Sequence, residues 1–268
     1  MKVSINHSTC PNLTYENFFK LANRLKITNV EIRNDLPNLI FDSNSTSEIY
    51  NLKKEYNINI ISINALQKFN IWDNERKEEL LFLCRAAKEI NCEGVVLVPL
   101  NSGNFFEKEK HQTLLKNSLK EIDFILSEYQ LKGFIEPLGF KSSSLRYKSE
   151  VIDQLKTLRV DHNFSLVHDT FHHKVAEDEA TYVENTSIVH ISGVNNREIK
   201  ECDFTDDMRE LINESDQIKN IQQINYFLSN KYDGFFSIEP FSEKIQNSDN
   251  HYDLIKESLN YINKNIPF

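Results

Sequence analysis

The chain has 268 residues, 40% of them hydrophobic and 26% charged. One large barrel commonly fills that length, and the composition excludes disorder for most of the chain. The formal net charge of -9, from 40 acidic against 31 basic residues, gives no help to phosphate-backbone binding and argues against nucleic acid as a partner.

The start, "MKVSINHSTC", lacks a hydrophobic leader, and no apolar run approaches the roughly 18 residues of a membrane span. Neither secretion nor a membrane partner is expected. Cys10, Cys84, Cys92 and Cys202 are widely spaced, without a metal-knuckle pattern, and suit a reducing, cytoplasmic setting.

Eight β-rich runs follow one another: "KVSIN" (2–6), "NVEIR" (29–33), "INIISINA" (58–65), "GVVLVPL" (94–100), "GFIEPL" (133–138), "FSLVHD" (164–169), "SIVHISG" (187–193) and "GFFSIEPF" (234–241). Their near-continuous apolarity marks strands covered on both faces. Polar stretches with helical signals lie between them. In "STSEIYNLKKEY" (45–56), Ser45 and Glu48 stand at capping-box spacing. In "DNERKEELLFLCRAAKEIN" (73–91), Asp73 or Asn74 caps a helix whose apolar stripe is Leu80, Leu83, Cys84 and Ala87, so Cys84 reads as core. The alternation predicts a single-domain (β/α)8 TIM barrel over residues 1–268, with a doubly wound open sheet as the alternative. The first turn, "NHSTCPNLTYE", has no glycine-rich loop and the chain has only six glycines, so neither a nicotinamide nor a flavin cofactor is expected. The longest connection, Val194 to Asp233, holds the charged loop "NNREIKECDFTDDMRELINESD" and a predicted helix, "QIKNIQQINYFLSN" (217–230); such insertions tend to shape or cover a site.

Four runs end in residues that carry chemistry. Glu136 and Glu239 each precede a proline that stops the ladder, "LVHD" ends in Asp169, and "IVHIS" carries His190. Taken singly, either glutamate reads as a salt-bridge partner or strand-end cap, and His190 as a satisfied core histidine. Together, on successive strand ends, they form the donor set of one divalent cation. Carboxylate oxygens and one neutral imidazole suit manganese or zinc best, with magnesium or cobalt also compatible. His172, three residues after Asp169, is expected to contact substrate; metal ligation, a supporting contact and an ordinary helix position are the other readings. With Asp169 and His190 inward, alternation turns His168 outward into packing. Phe69 and Trp72, in "QKFNIWDN", either wall the pocket against an aliphatic sugar face or pack their loop onto the barrel.

In chain order, "NVEIR", "SINALQKFN", "GVVLVPL", "IEP", "HDTFHH", "HIS" and "SIEPF" resemble the xylose-isomerase-like TIM-barrel superfamily over essentially the whole chain. Within it, "INALQKFN" followed by "VVLVPL" is most similar to the 2-keto-myo-inositol (inosose) isomerases. The resemblance implies that Glu136, Asp169, His190 and Glu239 ligate one divalent metal, and that His172 meets a substrate oxygen. It implies that Arg209, in "DFTDDMR", is brought to the pocket by the long loop. It also places Glu31, Asn6, Asn64 and Lys68 on the opposite side, where strand packing or surface exposure is the competing reading. Two segments depart from the pattern: "ISGVNNRE" follows His190 where relatives often carry an acid, and "ELINESD" stands where a glycine-containing loop is common.

What the resemblance implies is a metal-dependent isomerase that moves the carbonyl of 2-keto-myo-inositol through an enediolate, with Glu136 and Glu239 as the proton-transferring pair. A ketose 3-epimerase or hydroxypyruvate-type isomerase is the rival reaction, and a non-catalytic sugar- or metal-binding protein the rival class. The expected partner is a small polyol or keto-sugar, and family analogy admits a homo-oligomer. The branch resembling endonuclease IV is disfavoured because "SINAL", "VLVPL" and "KECDFTDDM" lack its additional histidines, and xylose isomerase itself because the acids of a second metal site are missing.

Overall fold

The computed structural model describes residues 1–103 and 108–266. Its strands are β1 (Lys2–Asn6), β2 (Asn29–Arg33), β3 (Asn59–Gln67), β4 (Gly94–Val98), β5 (Lys132–Ile135), β6 (Phe164–Asp169), β7 (Thr186–Ile191) and β8 (Phe235–Ile238). Neighbours in sequence pair in parallel, and β1 pairs with β8 to close the ring. The protein is therefore a (β/α)8 barrel, and the open-sheet alternative falls. The described helices are α1 (Tyr15–Arg24), α2 (Ser43–Glu55), α3 (Asn74–Glu89), α4 (Lys108–Tyr129), α5 (Lys148–Leu158), α6 (Thr170–Ala176), α7 (Asn220–Ser229), α8 (Glu243–Gln246) and α9 (His251–Asn265). None is long and apolar enough to cross a membrane among the described residues.

Strand alternation divides the apolar residues into two layers. Ile5, Val30, Val95, Leu97, Ile135, Leu166, Val189, Phe236 and Ile238 face outward and pack with the helices in the main core. Ile61, Val96, Phe134, Val167 and Ile188 form a separate cluster inside the ring. Each such buried side chain adds about 1.5–3 kcal/mol relative to exposure, so register is held from both faces.

Local chemistry sets the helix starts. Asp73 caps α3, its side chain accepting from the Arg76 amide at 2.8 Å. Leu80, Leu83, Cys84 and Ala87 are all buried on the inward stripe of α3. The second helix begins earlier than its sequence suggests. Asp42 is the N-cap, accepting from the Asn44 and Ser45 amides, and Ser45 closes the box as its third residue; Ser45 and Glu48 do not form one. Before α7, Lys219 adopts a left-handed conformation with φ of 62°, so the predicted helix starts at Asn220 instead of Gln217. Asp216 ties that turn, accepting from the Ile218 and Asn220 amides at 2.9 and 2.8 Å.

Candidate metal centre

Each of the four strand-end residues shares a strand face with an interior apolar side chain. Glu136 follows Phe134, Asp169 follows Val167 and His190 follows Ile188 at a spacing of two, while Glu239 follows Phe235 at four. The alternation that fills the ring therefore also turns these donors inward. Glu136 and Glu239 lie one residue beyond β5 and β8, where the prolines end the ladder.

One ligand-capable atom from each of these buried residues lies within 4.8 Å of the others. His190 Nδ1 is 2.8 Å from Glu136 Oε1, 3.1 Å from Glu239 Oε2 and 4.0 Å from Asp169 Oδ2. Three carboxylates this close, away from water, demand compensating positive charge. The oxygen-rich set with one imidazole nitrogen fits a divalent cation of the zinc or manganese type.

Asp169 divides its two oxygens. Oδ1 accepts from the Phe171 and His172 amides at 2.7 and 3.0 Å, capping α6, while Oδ2 faces the cluster and accepts from Arg209 at 2.6 Å. The Arg209 guanidinium also donates to Glu239 Oε2 at 3.1 Å, to Ser192 Oγ at 2.9 Å and to Asp206 Oδ1 at 3.1 Å. Gly193 and Glu210 exchange backbone hydrogen bonds at 2.7 Å, anchoring the long loop beside Arg209. Ser192 thus takes up an arginine contact in the segment that follows His190.

Burial shapes the protonation of the cluster. It pushes the Glu136 carboxyl above its ordinary range, only partly opposed by His190. At Glu239 burial is outweighed by His190, Arg209 and Arg33, which hold it below that range. At His190 burial is overcome by Glu239, Glu31 and Glu136, which raise the imidazole well above its usual value.

Above the cluster, at the carboxyl ends of the strands, opens a cavity of about 300 Å³. Glu136, Glu239, His172, Arg209, Asn64 and Lys68 border it. His172 stands edge-on to Phe140 and Phe171, with ring centroids at 5.1 and 5.3 Å, and its Nε2 is 4.0 Å from Asp206 Oδ1. Asn64 donates to Glu239 Oε1 at 3.3 Å.

Four sequence assignments come out elsewhere. Glu31 is fully buried and bonded to the Nε2 side of His190, beneath the cavity and not on its wall. Asn6 is likewise buried below, donating to Glu239 Oε1 at 2.9 Å and to Glu31 at 3.3 Å. Phe69 is a core residue and Trp72 packs against that core, so both hold the β3–α3 loop to the barrel instead of walling the cavity. Where an inward side chain ends depends on its depth in the tilted ring, which one strand's pattern does not encode. His168 points outward as alternation requires, bonded to Gln223 at 2.9 Å and set edge-on to Phe227.

Sequence reasoning missed Arg33, Gln67, Asn101, Asp206 and Phe241, which also line the cavity. Arg33 shares the inward face of Glu31 on β2, so strand parity identifies it. Its guanidinium is clamped by Asp35 at 2.6 Å and lies 3.6 Å from Glu239 Oε1. Asp206 opens a single 3-10 turn, Asp206–Met208, within the long loop, too short to carry a periodic signal.

A family model described as xylose isomerase-like TIM barrel matches residues 19–265. No curated protein matches the chain. Among solved structures, a xylose isomerase domain containing protein from Salmonella typhimurium LT2 is 28% identical, with a TM-score of 0.88 and 97% of each chain covered. The IOLI protein with a bound zinc atom has a TM-score of 0.88 over 100% of both chains at 19% identity. D-psicose 3-epimerase from Clostridium cellulolyticum H10, solved with D-tagatose, gives 0.76 over 100% of both chains at 14% identity. The latter two likenesses are ones of fold. With the family model spanning nearly all of the barrel, the chain belongs to the xylose isomerase-like TIM barrel family.

Proposed function

We propose that this protein is a divalent-metal-dependent isomerase that moves the carbonyl of 2-keto-myo-inositol to the neighbouring ring carbon. The observation that carries this reading is the coincidence of a buried four-donor cluster with the floor of a polyol-sized cavity, Glu136 and Glu239 belonging to both. The zinc atom bound by the similarly folded IOLI protein supports zinc as the cation, with manganese next by donor chemistry.

Glu136, Asp169, His190 and Glu239 would hold such a cation, which would supply Lewis-acid charge beside the oxygens of a vicinal hydroxy-ketone. Glu136 and Glu239 project from β5 and β8, three strands apart around the ring. One carboxylate removes the proton from the hydroxyl-bearing carbon and the other delivers one to the former carbonyl carbon, while the hydroxyl proton passes from one oxygen to the other, so that ketone and hydroxyl exchange places. Arg209 and His172 hold substrate oxygens from the long-loop side. Arg209 also fixes Asp169 and Glu239, keeping both carboxylates in place. No redox cofactor is needed, since hydrogen is transferred only as a proton.

The same pair can return the proton to the opposite face of one carbon, which is epimerisation. The folds of D-psicose 3-epimerase and 3-keto-D-glucoside 4-epimerase make that the second reading. Proton NMR in deuterium oxide of zinc- or manganese-loaded protein with 2-keto-myo-inositol decides between them. A new ring-ketone isomer carrying solvent deuterium is expected, with turnover lost in Glu239→Ala. A metal-loaded protein that neither isomerises the cyclitol nor exchanges its protons refutes the substrate assignment, and ketoses become the next substrates to test.

A further inference from the structure

The cluster has a built understorey that the reaction itself does not use. Glu31 is completely buried on β2, and the pairing register sets it level with Asn6 of β1 and Ser62 of β3. Ser62 Oγ donates to Glu31 Oε2 at 2.6 Å, while Asn6 and the Ser237 hydroxyl donate to Oε1. The remaining direction is filled by His190 Nε2, 3.1 and 3.3 Å from the two carboxylate oxygens. Donors from β1, β3, β7 and β8 thus converge on one carboxylate that does not border the cavity.

An imidazole that ligates through one nitrogen must carry its proton on the other. Nδ1 of His190 faces Glu136, Glu239 and Asp169, whereas Nε2 faces Glu31. An ionised carboxylate only accepts, so a carboxylate at Nε2 dictates which tautomer can ligate and fixes the plane of the ring. We infer that Glu31 is a positioning residue: it holds the His190 proton on Nε2 and aims Nδ1 at the cation site. This rests on the metal-site reading of the four-donor cluster. A buried charge with four donors is costly to assemble unless each partner is kept, and here the partners are two small hydroxyl side chains, one amide and the histidine. Ser62 and Ser237 hold Glu31 in place, and Glu31 holds the ligand.

The test is cation affinity, read directly. Zinc and cobalt(II) are titrated into metal-free protein against a chromophoric chelator, with wild type, Glu31→Gln, Glu31→Leu and Glu239→Ala compared. Glu31→Gln preserves the packing, and the thermal midpoint of the metal-free form controls for damage to the fold. Loss of about 10- to 100-fold in affinity is expected for Glu31→Gln at an unchanged metal-free midpoint. An altered cobalt visible spectrum should accompany it, and Glu31→Leu should lose more. Affinity and spectrum both matching wild type in Glu31→Gln overturn the role of Glu31 alone. A wild type that binds zinc no better than Glu239→Ala overturns the cluster reading and this inference with it.

Discussion

Arg209 is almost fully buried and spends its guanidinium on Asp169, Glu239, Ser192 and Asp206 at once. An ammonium presents a point charge and cannot reproduce that fork. Arg209→Lys is therefore expected to lose contacts worth about 1.5–3 kcal/mol, or roughly 10- to 100-fold in kcat/KM, measured with the metal-loaded enzyme. His190 adds a pH dependence. Its carboxylate neighbours raise the imidazole well above its ordinary value, so the metal-free ring is protonated near neutrality, while ligation requires a free Nδ1. Cation affinity should rise with pH, and binding should release protons. Calorimetry in buffers of different ionisation enthalpy measures that release, and an enthalpy independent of buffer would contradict it.

At the scale of the element, α6 is the hinge between packing and chemistry. Its cap is Asp169, its first turn carries His172, and its backbone lies against the loop that follows β5. A Cβ placed on Gly139 would come within 2.1 Å of the His172 carbonyl oxygen and 2.8 Å of the Ala176 amide nitrogen. Gly139→Ala must therefore move α6. Displacement of His172 is expected to lower kcat/KM by roughly 10- to 100-fold with zinc stoichiometry kept, checked by steady-state kinetics beside metal analysis. These elements were readable to different degrees. "FIEP" and "SIEP" declare their strand ends because proline halts the ladder after an inward acid. The start of α2 was obscured because Ser45 is also an acceptable N-cap, and the competing Asp42 is decided by backbone geometry. The short strand–helix junction at Asp169 leaves one residue in two roles, which a pattern of residue types does not separate.

Across the whole molecule, buried imidazoles make stability depend on acidity. His7, stacked on Phe18 at 4.2 Å between ring centroids, is lowered from 6.5 to about 4, with burial as the largest cause. Between those values the unfolded chain binds a proton that the folded chain does not. Stability therefore rises with pH through this window and is lost as pH falls from about 6.5 towards 4. The contribution is on the order of 3 kcal/mol. Urea unfolding of metal-free protein across that range should show the slope, and His7→Phe should flatten it. The barrel itself was legible because eight two-face-covered runs alternate with helices; the depth at which Glu31 and Asn6 stop was not, because tilt and shear belong to the closed ring. That ring has a further consequence. All four donors of the cluster come from β5 to β8, whereas Arg33, Asn64, Gln67, Lys68 and Asn101 border the cavity from the ends of β2 to β4. The late arc thus carries the donor cluster together with His172 and Arg209, while the early arc adds a wall of polar side chains that contains none of the four donors. A lineage can change what the cavity admits by rewriting the early arc, while inheriting the donor cluster of the late arc intact.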